Sequence, residues 1–473
     1  MNLDLLTLYK ILPPSLRSIA ASVRGMYLRA WRYGSETQRL VEEALDRESW
    51  STEKLTAWQE ERLAHTLHRA AQTVPYYSEQ WARRRAQGDR ASWEYLENWP
   101  ILTKDSVRCN PSAFVSKDCN IRKMFHEHTS GTTGTPLNLW WSRDTVRAWY
   151  ALFEARCRRW HGVDRGNRWA ILGGQLVIPV EQRQPPFWVW NAALNQLYMS
   201  SYHLSPEYIP YYFDALKRYR IQYLYGYTSS LNALAQEGAR RGRTDLDMLV
   251  AITNAEPVYP SQRKSISHIF QCPVSETYGM AELVAAASEC KEGHLHLWPE
   301  VGWIEIMNEN KVIRDGLSGD LICTGLLNID MPLIRYHVGD RAVLERAHAL
   351  CACGRSLSMM ASVEGRVDDT LYTRDGKKVG RLDPVFKGDL PIKEAQIVQE
   401  TLGRIRVYYV PTNDFTLQSR HSLINRIRER MGDVDVILKE VSQVPQEQNG
   451  KIRSVICNLS EKELSECVRQ KEC

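Results

Sequence analysis

The sequence has no apolar run long enough to span a bilayer, and its mean hydropathy is negative; an integral helical membrane protein is excluded. It has no surplus of one charge: 61 Lys and Arg stand against 56 Asp and Glu, a net +5 on 473 residues. Without a basic stripe of the kind that follows a phosphodiester backbone, nucleic acid is not an expected partner. A disulfide framework is also missing. The 11 cysteines are odd in number and scattered, and no apolar leader of the secretory kind follows Met1, so a reducing, cytoplasmic setting is expected. Internal repeats and low-complexity tracts are absent too. What is present is an ordinary globular composition, 43% hydrophobic and 25% charged, in a chain long enough for two or three domains.

The hydrophobic pattern divides the chain. Residues 1–34 mix Leu3, Leu5, Leu6, Leu8, Tyr9, Ile11 and Leu12 with Lys10, Arg17, Arg24, Arg29 and Arg32. A basic amphipathic helix is expected there, with two roles open: peripheral contact with a membrane surface or partner, or an arm packed on its own domain. Helical spacing continues over 36–90, with Pro75 and Trp99-Pro100 read as breakers. From 123 to 345, short β-rich runs such as 168–172 and 249–252 alternate with helical ones such as 229–241. That alternation predicts α/β layering with a mostly parallel sheet. Strand-like runs at 392–398, 404–410 and 434–440, with a helix over 417–430, predict a separate small α+β domain.

The densest local signal is Thr129-Ser130-Gly131-Thr132-Thr133-Gly134-Thr135-Pro136. Gly131 and Gly134 permit positive φ and close backbone approach to an anion, while the Ser and Thr hydroxyls add donors. Strand-like flanks, 126–128 and 137–141, make it a loop between two strands. It is not a Walker A loop, because no Gly-Lys-Ser/Thr ending opens a helix. Taken alone, it reads first as a plain surface turn, with a phosphate cradle as the other reading.

Its company decides between these. Downstream come Asn254-Ala255-Glu256-Pro257, Ser275-Glu276-Thr277-Tyr278-Gly279-Met280-Ala281-Glu282, Arg335-Tyr336-His337-Val338-Gly339-Asp340, Gly365-Arg366-Val367-Asp368-Asp369 and Asn449-Gly450-Lys451. In this order the chain resembles the adenylate-forming superfamily of acyl-CoA synthetases and ligases. Within it the likeness is to the phenylacetate-CoA ligase-like branch that includes capsule-associated CapK-type proteins. The runs Gly376 to Asp383 and Lys393 to Val398 look particularly like that type.

The resemblance implies an α/β fold. A large N-terminal adenylation domain with mixed and parallel sheets would comprise a helical region at 1–100 and a core at 101–366. A hinge at 366–369, centred on Asp368, would lead to a small mobile α+β domain at 367–473. It further implies that Thr129, Ser130, Gly131, Thr132, Thr133 and Gly134 hold ATP phosphates, with Thr133 among the catalytic residues. Ala255, Glu256 and Pro257 would border the adenine, Tyr278 would stack on it between Thr277 and Gly279, and Glu282 would help hold Mg²⁺. Asp340 would accept both ribose hydroxyls, Arg366 would reach ribose or phosphate, Lys451 would be the catalytic lysine, and Tyr225 and Tyr227 would line the acyl pocket.

Cys351-Ala352-Cys353-Gly354, with Cys290 and His296 upstream, offers a closed tetrahedral Zn²⁺ site, with His294 competing as the nitrogen ligand; buried free thiols are the other reading. The implied reaction joins a carboxylic acid to AMP with release of pyrophosphate, then transfers the acyl group to CoA, in surface-polysaccharide biosynthesis by likeness to CapK. The run 370–383 departs from that of phenylacetate-CoA ligases, which leaves open an amine acceptor on a sugar or lipid precursor. A non-catalytic nucleotide-binding homologue is the alternative from another class.

Overall fold

Helix-forming residues with an inward apolar face build the N-terminal third. The computed structural model describes residues 9, 11–129, 137–179, 181–309, 311–313, 315–346, 351–366, 371–374, 378–379, 385, 390–445, 453, 455–460 and 463. The helices are α1 (Pro14–Arg32), α2 (Thr37–Arg47), α3 (Thr52–Thr73) and α4 (Pro75–Ala86). Pro75 breaks the helical region as expected: α3 ends at Thr73, Val74 is extended, and Pro75 opens α4 in its first turn, where a missing N–H costs nothing and the fixed φ suits the helix. Ser51 caps α3 by accepting from the Lys54 amide at 3.3 Å.

A hairpin, β1 (Phe125–His128) and β2 (Asn138–Trp141), pairs antiparallel with Phe125 opposite Trp141, as expected from the flanks of the Gly/Thr run. After it, α5 (Arg143–Phe153) continues into a π-helical turn, Glu154–Arg158, whose five residues are all buried. The wider turn sends Glu154, Arg156 and Arg158 inward together, as π-bulges often do beside functional sites.

The strands that follow are β3 (Trp169–Gly173), β4 (Trp188–Asn191), β5 (Gln196–Ser200), β6 (Tyr223–Tyr227), β7 (Val250–Asn254), β8 (Val274–Gly279), β9 (Ala286–Glu289) and β10 (Leu295–Leu297). After them come β11 (Gly302–Asn308), β12 (Lys311–Val312), β13 (Gly319–Gly325), β14 (Tyr336–Leu344) and β15 (Met359–Arg366). Among the described residues these form one sheet in the order β12-β11-β13-β14-β15-β10-β9-β8-β7-β6-β3-β5-β4. The sheet is mixed. Parallel pairing runs through β5-β3-β6-β7-β8, and from β8 to β9 and β10 the sheet turns antiparallel.

Helices α6 (Ile209–Arg218), α7 (Thr228–Arg240) and α8 (Pro260–Phe270) connect the parallel strands, and their buried Tyr212, Phe213, Leu216, Leu231, Ile266 and Phe270 form one core with Leu172, Leu224 and Ala251 of the sheet. Gly226 is required at its place in β6: a Cβ there would lie 2.4 Å from the Leu172 carbonyl oxygen of β3, too close for any side chain.

Two compact units emerge, residues 1–317 with 321–338 and 344–361, and residues 318–320 with 339–343 and 362–473. The second holds a small pair, β16 (Leu371–Tyr372) and β17 (Lys378–Val379), and a four-stranded sheet. That sheet comprises β18 (Ile392–Thr401), β19 (Arg404–Pro411), β20 (Asp435–Glu440) and β21 (Val455–Cys457), in the order β20-β19-β18-β21. Its helix α9 (Leu417–Met431) buries Leu423, Ile427 and Met431 against Ile397, Ile405, Val407 and Leu438. The α+β character expected of this region is what the chain adopts.

Candidate functional site

Ligand sites in parallel sheets gather at the carboxyl ends of the strands, and in the first unit three adjacent parallel strands end on residues singled out by sequence. The register pairs Tyr225 with Ile252 and Tyr227 with Asn254, and Thr253 with Glu276. So Tyr227 at the end of β6, with Tyr225 two residues inside it, Asn254 and Ala255 at the end of β7, and Thr277, Tyr278 and Gly279 at the end of β8 lie along one rim. Tyr225 receives the Asn254 side-chain amide at 3.1 Å and stands edge-on to Phe153, with ring centres 5.5 Å apart; burial holds its phenol neutral by raising its pKa. The Asn254 Oδ1 atom is buried without a hydrogen-bond partner, an acceptor left for something outside the described residues. Thr277 is committed to the sheet, its hydroxyl donating to the Thr253 carbonyl at 2.7 Å.

Ala255 has φ +63, a left-handed conformation that an alanine adopts only when its surroundings demand it. Part of the demand comes from Glu256. Its carboxylate accepts from the Ser229 amide at 2.7 Å and the Ser229 hydroxyl at 3.0 Å, a favourable place for a negative charge at the N-terminus of α7. Glu256 thus pins the Ala255-Glu256-Pro257 turn to α7. Arg335 shares the positive φ, so two of the strained non-glycine positions fall on sequence-selected motifs, and Leu283, also at positive φ, directly follows a third.

Glu282 is buried. It lies in a turn after β8 rather than at the start of a helix, accepts from the Tyr336 hydroxyl at 3.1 Å, and faces Lys104 Nζ at 3.6 Å. Thr129 closes the neck of the β1–β2 loop: its amide donates to the Leu137 carbonyl at 3.1 Å and its hydroxyl accepts from the Leu137 amide at 3.0 Å. Ser130, Gly131, Thr132, Thr133, Gly134, Asp368 and Lys451 lie outside the described residues. In the second unit Asp340 follows Gly339, whose φ is +88, and Arg366 ends β15.

A second cluster is tighter. The ligand atoms of Cys290, His296, Cys351 and Cys353 all lie within 4.8 Å of one another, with Cys290 Sγ 3.7 Å from Cys351 Sγ and Cys353 Sγ 3.3 Å from His296 Nε2. His296 Nδ1 lies 3.1 Å from the Leu357 carbonyl oxygen, a bond that places the proton on Nδ1 and leaves the Nε2 lone pair facing the sulfurs. Burial lowers the His296 pKa and pushes the Cys351 thiol up to about 12. His294 is exposed and takes no part. The surroundings are built: Trp160 stands edge-on to His296 and donates to Glu48 at 2.8 Å, and Arg355 bonds Glu48 at 2.8 Å while stacking on Trp160.

Similarity to known proteins fits both the fold and the motif order. Protein CapK of Staphylococcus aureus is 25% identical over 461 residues, which covers 96% of this chain and 99% of that protein, and the family model for the CapK C-terminal domain matches residues 371–458. The chain is similar along nearly its whole length to CapK-type and phenylacetate-CoA ligase-like adenylate-forming proteins. A phenylacetate-coenzyme A ligase of Thermus thermophilus is 24% identical over 86% of this chain and 98% of its own length. A crystal structure of 2-hydroxyisobutyryl-CoA ligase in the postadenylation state superposes with a TM-score of 0.67 at 15% identity, over 90% of this chain and 94% of that one, which shows the fold alone.

Several contacts of these sites carried no sequence signal. Lys104 reaches Glu282 from 178 positions away, Tyr336 stood in a quoted motif but its bond to Glu282, 54 positions away, did not show there, and Glu48, Trp160 and Arg355 meet only around the Cys and His cluster. Asn254 stood in a quoted motif, but its free acceptor depends on side-chain packing.

Proposed function

We propose that this protein is an AMP-forming ligase that activates a carboxylic acid. A carboxylate oxygen attacks the α-phosphorus of ATP, the bond to the bridging oxygen breaks, and pyrophosphate leaves; a nucleophile then attacks the acyl carbon and AMP departs. The observation that carries this reading is the rim at the ends of β6, β7 and β8, where Asn254 Oδ1 has no partner and Ala255 is strained, followed in the chain by the buried carboxylate of Glu282. A carboxylate donor suits a hard cation, and Mg²⁺ held by Glu282 and phosphate oxygens would neutralise the charge that builds when two anions meet. Tyr278 would lie against the adenine, Asn254 would accept from its amino group, and Tyr225 and Tyr227 would bound the acyl pocket. Asp340 would accept from the ribose hydroxyls, and the 130–134 donors with Thr133 would hold the leaving phosphates. Lys451 would balance charge on the α-phosphate, and rotation about Asp368 would withdraw it for the second half-reaction.

Relatives named as coenzyme A ligases support the CoA thiol as acceptor. The departure of residues 370–383 from the phenylacetate-CoA ligase pattern favours an amine as the second reading. ATP–pyrophosphate exchange across aryl, fatty, sugar and amino acids tests the first step: exchange with at least one acid, abolished in Lys451→Ala with ATP binding retained, is the expected result. Exchange that survives that substitution, or exchange with no acid, refutes the assignment. Mass spectrometry with CoA or amines then identifies the acceptor.

The same reading includes a structural Zn²⁺. Tetrahedral zinc with Zn–S of about 2.3 Å and Zn–N of about 2.0 Å has ligand–ligand edges of roughly 3.5–3.8 Å, and the cluster has 3.7 and 3.3 Å. Three thiolates and one imidazole close the site, so the metal would tie the 290–296 hairpin to the 351–357 loop and take no part in catalysis.

A further inference from the structure

The N-terminal helix is packed with its polar face inward. Strand β4 is the edge of the large sheet, and an open edge demands hydrogen-bonding partners. Helix α1 supplies them with small residues: Ser18 Oγ accepts from the Trp190 amide at 3.2 Å, and Ser22 Oγ accepts from the Ala192 amide at 3.0 Å. At Gly25 the approach is so close that a Cβ would meet Asn191 Oδ1 at 2.0 Å. Ser18, Ser22 and Gly25 face the edge, and the face next to theirs, roughly 100° around the helix, is exposed and apolar. Leu16, Ile19, Val23 and Met26 follow helical spacing and are 45–59% exposed, with Tyr27 beside them. A stripe of this kind is unusual on a monomeric surface and marks an interaction site.

Charge identifies the partner. Helix α1 carries Arg17, Arg24, Arg29 and Arg32 and no Asp or Glu. Arg17 is taken up by Gln182 and Arg32 packs over Tyr150, while Arg24 and Arg29 are exposed beside the stripe. Behind it runs a groove of about 1240 Å³ walled by Ile19, Val23 and Met26 and edged by Arg29 and Arg165. A symmetric contact with a second copy would set these arginines against one another with no acid on the helix to answer them. An apolar stripe flanked by arginines and one tyrosine matches the boundary between lipid headgroups and acyl chains.

We infer that α1 docks the protein on an anionic lipid bilayer, lying parallel to the surface. Leu16, Ile19, Val23 and Met26 enter the acyl region, and Arg24 and Arg29 engage headgroup phosphates. The helix keeps its serine contacts to β4 while doing so, because the docking face is the one β4 leaves open. This surface is independent of the ligase reading and stands or falls without it.

The test is flotation of the full chain with vesicles of phosphatidylcholine alone or mixed with phosphatidylglycerol. Binding to the anionic vesicles only, weakened by salt, is expected. Arg24→Gln with Arg29→Gln should weaken it about fivefold per charge at low salt, and Ile19→Asp with Val23→Asp should abolish it. All four positions are exposed, and an unchanged circular dichroism spectrum and melting curve confirm that the variants fold. Wild-type protein that fails to float with anionic vesicles overturns the proposal, as does equal flotation of wild type and both variants. A dimer seen in sedimentation velocity and dissolved by Ile19→Asp with Val23→Asp, without lipid binding, would assign the stripe to a second copy instead.

Discussion

Arg156→Met should destabilise the first unit by about 3 kcal/mol, toward the lower end of the cost of stranding a buried charge. Arg156 is fully buried, and its guanidinium grips Glu300 at 2.5 and 2.8 Å while reaching the Ala44 carbonyl at 3.3 Å. Glu300 is also buried; burial is the largest single influence and would raise its carboxyl pKa, but Arg156, Arg47 and a backbone hydrogen bond together bring the net shift downward. Methionine fills most of the volume, so the cost is electrostatic rather than a cavity. Glu300 then keeps Arg47, at 2.9 Å, and its backbone hydrogen bond, which places the cost low in that range. The double substitution Arg156→Met with Glu300→Leu removes both charges and should recover at least half of the loss. All 15 tryptophans lie at or before Trp303, inside the first unit, so urea unfolding followed by tryptophan fluorescence reads this unit alone. A single variant within about 1 kcal/mol of wild type, or a double variant no more stable than the single, would show that the pair does not act as a coupled buried charge.

Gly226→Ala should leave little soluble protein, since its Cβ would press on the Leu172 carbonyl at 2.4 Å; normal yield with an unchanged melting temperature would contradict the close approach of β3 and β6. His161 is held neutral because burial lowers its pKa to about 4. The unfolded chain therefore takes up a proton first as the solution is acidified. Its contribution is intact above pH ~6.5 and is lost progressively down to pH ~4, up to about 3 kcal/mol. The stability advantage of wild type over His161→Asn should accordingly shrink on acidification, and a constant difference from pH 7 to 4 would refute this. Elemental analysis of wild-type protein purified without chelator should find about one zinc per chain, and Cys351→Ala should abolish it and lower the melting temperature; wild-type protein carrying no zinc removes the basis for the site. Tyr336→Phe takes a hydrogen bond from the Glu282 carboxylate, worth about 1.5–3 kcal/mol to a charged acceptor, and should weaken magnesium dependence of ATP–pyrophosphate exchange; an unchanged magnesium titration would argue against Glu282 as the cation ligand.

Local pattern was enough for much of the fold. Alternating apolar residues and the Gly/Thr run gave the β1–β2 hairpin, and the switch from period-two to helical spacing gave β18, β19, α9 and β20 nearly to the residue, because each buries one face within its own neighbourhood. Pro75 was legible as the break between α3 and α4, because proline is excluded from a helix interior and suited to a first turn. Strand direction was beyond pattern: β9 and β10 are as apolar as the parallel strands beside them, and only their short connections make them antiparallel.

The sequence by itself determined the order of the chemical motifs, the presence of four soft metal-ligand side chains, and a basic apolar helix at the N-terminus, since these are properties of residue type and spacing. Only the tertiary structure decided that Cys290, His296, Cys351 and Cys353 converge and that His294 does not. It alone joined Lys104 and Tyr336 to Glu282, and it alone turned the apolar face of α1 outward. Each of these depends on which surfaces remain after a sheet edge and a buried core have taken the partners they need, a competition across the whole fold that no local stretch of sequence records.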